Sequence, residues 1–253
     1  MTASPELLLL SSSRVHGYGY LEFAREELAA FLAGCPTLHF VPFALHDHDG
    51  YTQIVRTAFA PLGIEVVGVH EGGDPAAALR EARAVFVGGG NTFRLLRALQ
   101  RHGLLEILRE RAGTGELRYL GVSAGINVTA PTIRTTNDMP IVQPQGLDAL
   151  GLLPFQLNAH YIDAEASSTH MGETRAQRIK EFLEENEVPV LGLREGAWLR
   201  RRGDALRLGG VAGAVLFLRA RVPTAYPPDT DLTFLLGARA RFDQPLDLER
   251  RQI

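Results

Sequence analysis

Cysteine is almost missing from this chain. A single Cys35 in 253 residues excludes an internal disulfide and any multi-cysteine metal site, so a reducing compartment is expected. Long apolar runs are missing too. Leu7–Leu10 is far too short for a signal peptide or a membrane span, and Met1–Glu6 carries no basic region. A soluble, cytoplasmic protein is therefore the expectation. Excess charge is also lacking: 26 basic against 29 acidic residues leave a formal net charge of −3, which gives no electrostatic reason to expect a nucleic acid or a membrane as partner. There is no internal repeat and no compositional break. What remains is a chain 45% hydrophobic and 22% charged, long enough for one large α/β domain over residues 1–253.

Apolar runs and helical spacing alternate along the first half. Leu7–Leu10 reads as a buried parallel strand ending at Ser11-Ser12-Ser13. Leu21–Leu32 has helical spacing, Leu38–Phe43 is a strand, Tyr51–Leu62 a helix and Ile64–Val69 a strand. Asp74-Pro75 opens a helix through Glu81, and Ala84–Val87 is a strand. Phe93–Leu99 and Leu104–Leu108 are helical, and Tyr119–Val122 is again a strand. This predicts a doubly wound, mostly parallel sheet flanked by helices, whose sites lie beyond the strand C-termini. Further on, Phe155–Leu157 is a short strand, Thr174–Leu183 an amphipathic helix and Val190–Leu193 a strand. Ala197–Arg200, Ala205–Leu208 and Val215–Leu218 are short strands that predict an antiparallel extension at the sheet edge. Residues 219–253 are charged and rich in proline, and read as a peripheral tail, mobile from Asp243 to Ile253.

Two strand ends carry chemistry. Gly121-Val122-Ser123-Ala124-Gly125 is a G-x-S-x-G pattern between an apolar run and a run of small residues, as a nucleophile elbow requires. Such a pattern arises by chance in a glycine-rich chain, and its position after a strand is what favours the elbow. The turn would place Ser123 at the positive end of the following helix. On the preceding strand, Gly88-Gly89-Gly90-Asn91-Thr92 has neither a Walker lysine nor a G-x-G-x-x-G pattern. It suits an oxyanion hole, since glycine lets backbone N–H groups approach a ligand. A serine nucleophile needs a base, and the base an orienting acceptor. Of eight histidines, His160 is the best placed, because it follows a strand as Ser123 does. Two carboxylates compete for the third place: Asp138, in the long polar loop soon after the serine, and Glu195, immediately after a later strand. Rigid strand ends favour Glu195. His46-Asp47-His48-Asp49 alternates metal-ligating residues but lacks a third anchored ligand, so a solvated loop is expected there, with no metal and no cofactor.

Together, Gly88–Phe93, Ser123-Ala124-Gly125, Pro131–Pro140, Gly172-Glu173-Thr174-Arg175 and Glu195-Gly196 resemble the peptidase E family, bacterial α-aspartyl dipeptidases with a serine nucleophile. The resemblance covers roughly residues 6 to 218 in collinear order. It implies a fold like that of class I glutamine amidotransferases, a homodimer, and hydrolysis of dipeptides and some short peptides that begin with aspartate. It implies Ser123 as nucleophile, His160 as base, and either Asp138 or Glu195 as the acid. The Gly89, Gly90 and Ala124 N–H groups would form the oxyanion hole. Arg175 would receive the aspartyl carboxylate, with Asn91 and Asp138 as further substrate contacts. The chain departs from the family pattern at Ala159, Tyr161 and Asp163–Met171, which border the pocket, and in a longer tail after Arg219. The nearest other reading is another serine hydrolase of this fold, such as a cyanophycinase. An α/β-hydrolase esterase is a more distant one. A non-catalytic small-molecule sensor is the reading from a different class, and retention of both Ser123 and His160 speaks against it.

Overall fold

Four consecutive leucines lie at the centre of the molecule. The computed structural model describes residues 4–164 and 172–246. In it β1 (Glu6–Leu10) is covered on both faces, with Leu7 through Leu10 fully buried. Leu7 and Leu9 join one apolar cluster and Leu8 and Leu10 the other, as side-chain alternation in a two-faced strand dictates. Beside it lie β2 (Thr37–Val41), β3 (Glu65–Gly68), β4 (Ala84–Val87) and β5 (Arg118–Val122), all parallel, and then β8 (Ala197–Arg202) and β9 (Ala205–Gly210), antiparallel. The sheet order is β3-β2-β4-β5-β1-β8-β9. Leu28 and Phe31 of α1 (Arg25–Phe31) and Val55 and Phe59 of α2 (His48–Phe59) pack into the cluster on one face. Leu79 of α3 (Pro75–Glu81), Leu95, Leu96 and Leu99 of α4 (Thr92–Arg101) and Leu104 and Leu108 of α5 (Leu104–Thr114) pack into the other. The doubly wound arrangement expected from the alternation is present.

A second sheet is the main departure from that expectation. β6 (Gln156–Tyr161), β7 (Val190–Arg194), β10 (Ala214–Phe217) and β11 (Thr224–Tyr226) form it in the order β11-β10-β7-β6. Only β8 and β9 extend the first sheet antiparallel; the third strand expected there, β10, pairs with β7 instead. All four residues of β10 are buried, so it needs cover on both faces, and β7 still had an open side. α7 (Arg175–Glu185) covers one face, packing Ile179 and Leu183 on Val190, Val215 and Phe217, while Ala214 and Leu216 of the other face join the main cluster.

The tail is tied down as far as it is described. Leu232 and Leu235 are buried, and Thr230 and Leu232 bond to the outer edge of β9, through Leu208 N–H to Thr230 O and Leu232 N–H to Leu206 O, both 2.9 Å. Gln244 and Leu246 donate backbone N–H groups to Glu185 O and Glu184 O at the end of α7. Residues 219–246 are thus peripheral, with only Leu232 and Leu235 buried, but tied to β9 and to the end of α7. The remainder of the expected mobile stretch, 247–253, lies outside the described residues, as does 165–171.

The His46–Asp49 run is exposed at three of its four residues, but only His46 and Asp47 belong to a loop. Asp47 caps α2 by accepting the Gly50 N–H at 2.9 Å, His48 opens the helix, and Asp49 bonds His70 Nε2 at 2.9 Å. Among the described residues no group of three or more His, Cys, Asp or Glu side chains is disposed to hold a metal, and no helix is long and apolar enough to cross a membrane.

Candidate active site

Ser123 directly follows β5 in a backbone conformation that few residues adopt. Its φ is +52° and its ψ −110°, a strained turn of the kind that lifts a nucleophile off a sheet. The strain is held from both sides: Ser123 N–H donates to Leu10 O at 3.0 Å, and Ser123 O accepts from Ile126 and Asn127. Gly125 cannot be replaced, because a Cβ there would collide with the carbonyl oxygen of Val87. The helix after the elbow is short. α6 spans only Ala124–Asn127 before turning, so its macrodipole is small, and its first free N–H matters more.

His160 lies inside β6 rather than after it. The register of β6 on β7 slips between Asn158 and Tyr161, and at this irregularity His160 takes φ +52°. Its Nε2 lies 2.9 Å from Ser123 Oγ and its Nδ1 lies 2.7 Å from Glu195 Oε1. The ionised carboxylate only accepts, so Nδ1 carries the ring proton and Nε2 is left to accept from the serine hydroxyl. Glu195 occupies, with Gly196, the two-residue turn between β7 and β8, where the chain crosses from the second sheet to the first. Its side chain remains 53% exposed, so water competes with the histidine for it.

Asp138, the other candidate acid, bonds elsewhere. Its Oδ2 accepts from Thr92 N–H at 2.7 Å and from Thr92 Oγ–H at 2.5 Å, at the first turn of α4. Among the described residues Oδ1 has no protein donor. Asn127 holds the same network by donating to Thr92 Oγ1 at 3.1 Å and to Thr136 Oγ1 at 3.2 Å. The half-buried guanidinium of Arg175 sits at the start of α7. Burial pulls its pKa below the ordinary arginine range, with Arg178 adding to the pull, and the nearby carboxylates of Asp138 and Glu195 oppose it. Cation, Asp138 and the Ser123–His160–Glu195 row thus share one neighbourhood.

The glycine loop corrects two expectations. Gly89 N–H donates to Tyr51 Oη at 2.8 Å, so it is taken up and not free for an oxyanion. Gly88 N–H bonds Val41 O and Asn91 N–H bonds Ala44 O, which leaves Gly90 N–H as the one donor of that run without a protein acceptor among the described residues. Gly90 must be glycine: its φ is +138°, and a Cβ would stand 2.5 Å from Ala44 O. Ala124 N–H is likewise without a protein acceptor among the described residues. The Asn91 side chain is also committed, because it caps α4 through Arg94 N–H and donates to Met139 O at 2.8 Å. It anchors the Asp138 loop rather than standing free for a substrate.

Several residues of the neighbourhood went unread in the sequence. Tyr51, buried on α2, orients Gly89. Asn137 donates to Ala159 O at 2.8 Å and Asn158 to Thr135 O at 2.7 Å, fixing the Asp138 loop to β6 beside His160. No spacing rule reveals such long-range bonds. Only the excess of Asn and Thr over Arg134–Asp138 hinted that the loop is held by its side chains.

An α/β scaffold with a serine, a histidine and a glutamate in one hydrogen-bonded row belongs to the hydrolases that work by acyl transfer. Comparison with known proteins narrows that class. The profile of peptidase family S51 matches residues 7–209, and the chain belongs to that family and is a peptidase. It is 58% identical to a protein named peptidase E from Streptomyces coelicolor, over 94% of this chain and 97% of that one. It is 50% identical to a Drosophila melanogaster protein named a probable alpha-aspartyl dipeptidase, over 93% of this chain and 99% of the other. The crystal structure of a peptidase from an acI-B1 Actinobacterium has the same fold, with a TM-score of 0.64 at 16% identity over 90% of this chain and 96% of that one.

Proposed function

We propose that this peptidase hydrolyses dipeptides, and some short peptides, with an N-terminal aspartate, through an acyl-enzyme on Ser123. The observation that carries the mechanism is His160 bridging Ser123 Oγ and Glu195 Oε1. Ser123 Oγ attacks the scissile carbonyl while Nε2 of His160 takes its proton. The new C–O bond forms as the carbonyl π bond opens, and the oxyanion is received by the Gly90 and Ala124 N–H groups. The imidazolium, stabilised by Glu195, then protonates the departing amine as the C–N bond breaks. Water, deprotonated by the same ring, cleaves the ester and releases aspartate.

The aspartate preference is supported by the opposed charges beside the row and by the name of the Drosophila melanogaster relative. An N-terminal aspartyl residue brings an ammonium and two carbonyl-bearing arms, one of them anionic. Arg175 suits the side-chain carboxylate, and Asp138 Oδ1, which has no donor among the described residues, suits the ammonium. Arg175→Met is expected to cost Asp-Leu hydrolysis about 2 kcal/mol in kcat/KM, roughly 30-fold, the lower end for a truncated charge pair because the site is half open to water. Asn-Leu, without the anionic arm, should lose far less. Equal losses for both substrates would make Arg175 a structural residue only.

A homodimer and a cytoplasmic location complete the proposal. The lone cysteine supports the location. The dimer rests on family resemblance alone, since the β9 edge that an edge-pairing argument would use is already covered by residues 230–233. Sedimentation velocity across working concentrations is expected to give a dimer, and a fully active monomer would remove it.

A further inference from the structure

The three members of the row do not share a sheet. Ser123 directly follows a strand of the first, His160 lies in the second, and Glu195 is on the turn between them. Packing of two sheets sets their separation loosely on the scale that proton transfer demands, which is about 0.5 Å and 10–20°. Something directional has to join them.

Three consecutive residues at the end of β1 do so. Leu10 O accepts the Ser123 N–H at 3.0 Å. Ser11 Oγ accepts the His160 N–H at 2.9 Å and donates its own proton to Leu193 O at 2.8 Å. Ser12 Oγ accepts the Gly196 N–H, next to Glu195, at 3.1 Å. Both serine side chains are buried, Ser11 completely, and the Ser11 N–H is itself fixed on Ala197 O. Each residue of Leu10-Ser11-Ser12 therefore holds the backbone at or beside one member of the row. The bond at His160 matters most, because that residue stands at positive φ in an irregular stretch of strand, where the ladder gives it no regular partner.

We propose that Ser11 and Ser12 are positioning residues of the active site: their hydroxyls register the His160 backbone of the second sheet and the Glu195-Gly196 turn against the Ser123 strand of the first. Neither touches substrate. Ser11 sets where the imidazole stands, and Ser12 where the acid turn stands. The inference rests on the serine mechanism proposed above.

The test uses the full chain carrying Ser11→Ala, Ser11→Cys or Ser12→Ala, with Asp-Leu as substrate. Ser11→Cys keeps the side-chain volume with only a weak sulfur acceptor, so it decides the matter if the alanine variant fails to fold. Both Ser11 variants are expected to lower kcat by roughly 10- to 100-fold with KM changed less than about twofold, the signature of misplaced catalytic groups with intact substrate binding. Ser12→Ala, acting one residue away from the acid, should lower kcat by only about 3- to 10-fold on the same reasoning. Inactivation by a fluorophosphonate should slow in the same ratio as kcat, and the downfield proton resonance of the His160 Nδ1–H···Glu195 bond should shift or broaden. In the Ser123→Ala background, adding Ser11→Ala should leave Asp-Leu affinity unchanged. A folded Ser11 variant with wild-type kcat and an unmoved His160 resonance would overturn the proposal, as would a loss confined to KM and affinity. If Ser123→Ala itself kept full turnover, the serine mechanism would fall instead, and the two failures are told apart by that one control.

Discussion

Ser123→Ala is expected to reduce kcat/KM for Asp-Leu by roughly 10⁴- to 10⁶-fold while the protein stays folded. The size follows from what the hydroxyl does: without it there is no ester intermediate, and His160 has nothing to deprotonate. What is left comes from oxyanion donors and substrate positioning, which on their own give a residual acceleration of about 10³–10⁴ over water. The fold should survive because the elbow is held through its backbone, by Ser123 N–H on Leu10 O and by Ser123 O accepting from Ile126 and Asn127. Alanine keeps the same Cβ and so the same strain at φ +52°. The check is steady-state kinetics on the purified variant beside its thermal melt. Turnover near wild type in a folded sample would reject a covalent mechanism at this serine.

The second large effect separates the two carboxylates. Glu195→Gln replaces the acceptor at His160 Nδ1 with a group that also donates, so the ring is no longer held in the tautomer that leaves Nε2 free. A fully buried acid of this kind is worth about 10⁴ in kcat. Glu195 is half exposed, and water can partly replace it, so a loss of about 10²–10⁴ in kcat with little change in KM is expected. Asp138→Asn should act differently. Its amide oxygen can still accept from Thr92, so the α4 terminus stays capped, but the negative charge offered to the substrate ammonium is gone. KM should rise about 30-fold, corresponding to about 2 kcal/mol, with a smaller change in kcat. N-acetyl-aspartyl-leucine, which has no ammonium, is the control: the wild type should process it poorly, and Asp138→Asn should cost it little more. The opposite pattern, with Asp138→Asn lowering only kcat and Glu195→Gln nearly silent, would return the acid role to Asp138.

How far the site could be read in advance depended on how local each requirement is. The elbow is local: Ser123 needs small neighbours and a preceding apolar strand, and all of these lie within a few residues. His160 and Glu195 stand out in the sequence by their places near strand ends. Yet the carboxylate bonded to His160 was left open between Glu195 and Asp138, because pairing across elements is not written in spacing. Gly89 was misassigned for a similar reason. Its glycine identity and loop position matched an oxyanion donor, and only the distant Tyr51 hydroxyl shows that its N–H points to another acceptor. Asn91 was misread in the same way, as a substrate contact, when its side chain caps a helix and ties a loop.

What the sequence determined by itself is the part set by periodicity and by backbone sterics. Leu7–Leu10, a short apolar run ended by serines, reads as a strand buried on both faces, the alternation after it leads to a doubly wound sheet, and Ser123 between glycines leads to the elbow. These depend on hydrophobic burial and allowed φ/ψ, both of which act over a few neighbouring residues. Tertiary structure alone decided that β6, β7 and β10 leave for a second sheet, that residues 230–233 close the edge of β9, and that Leu10-Ser11-Ser12 join the two sheets at the row. Each of these is a choice of partner for an exposed strand edge or a buried polar group. Many segments of the chain could satisfy the same N–H or C=O equally well, and which one does is settled only when all of them are packed at once.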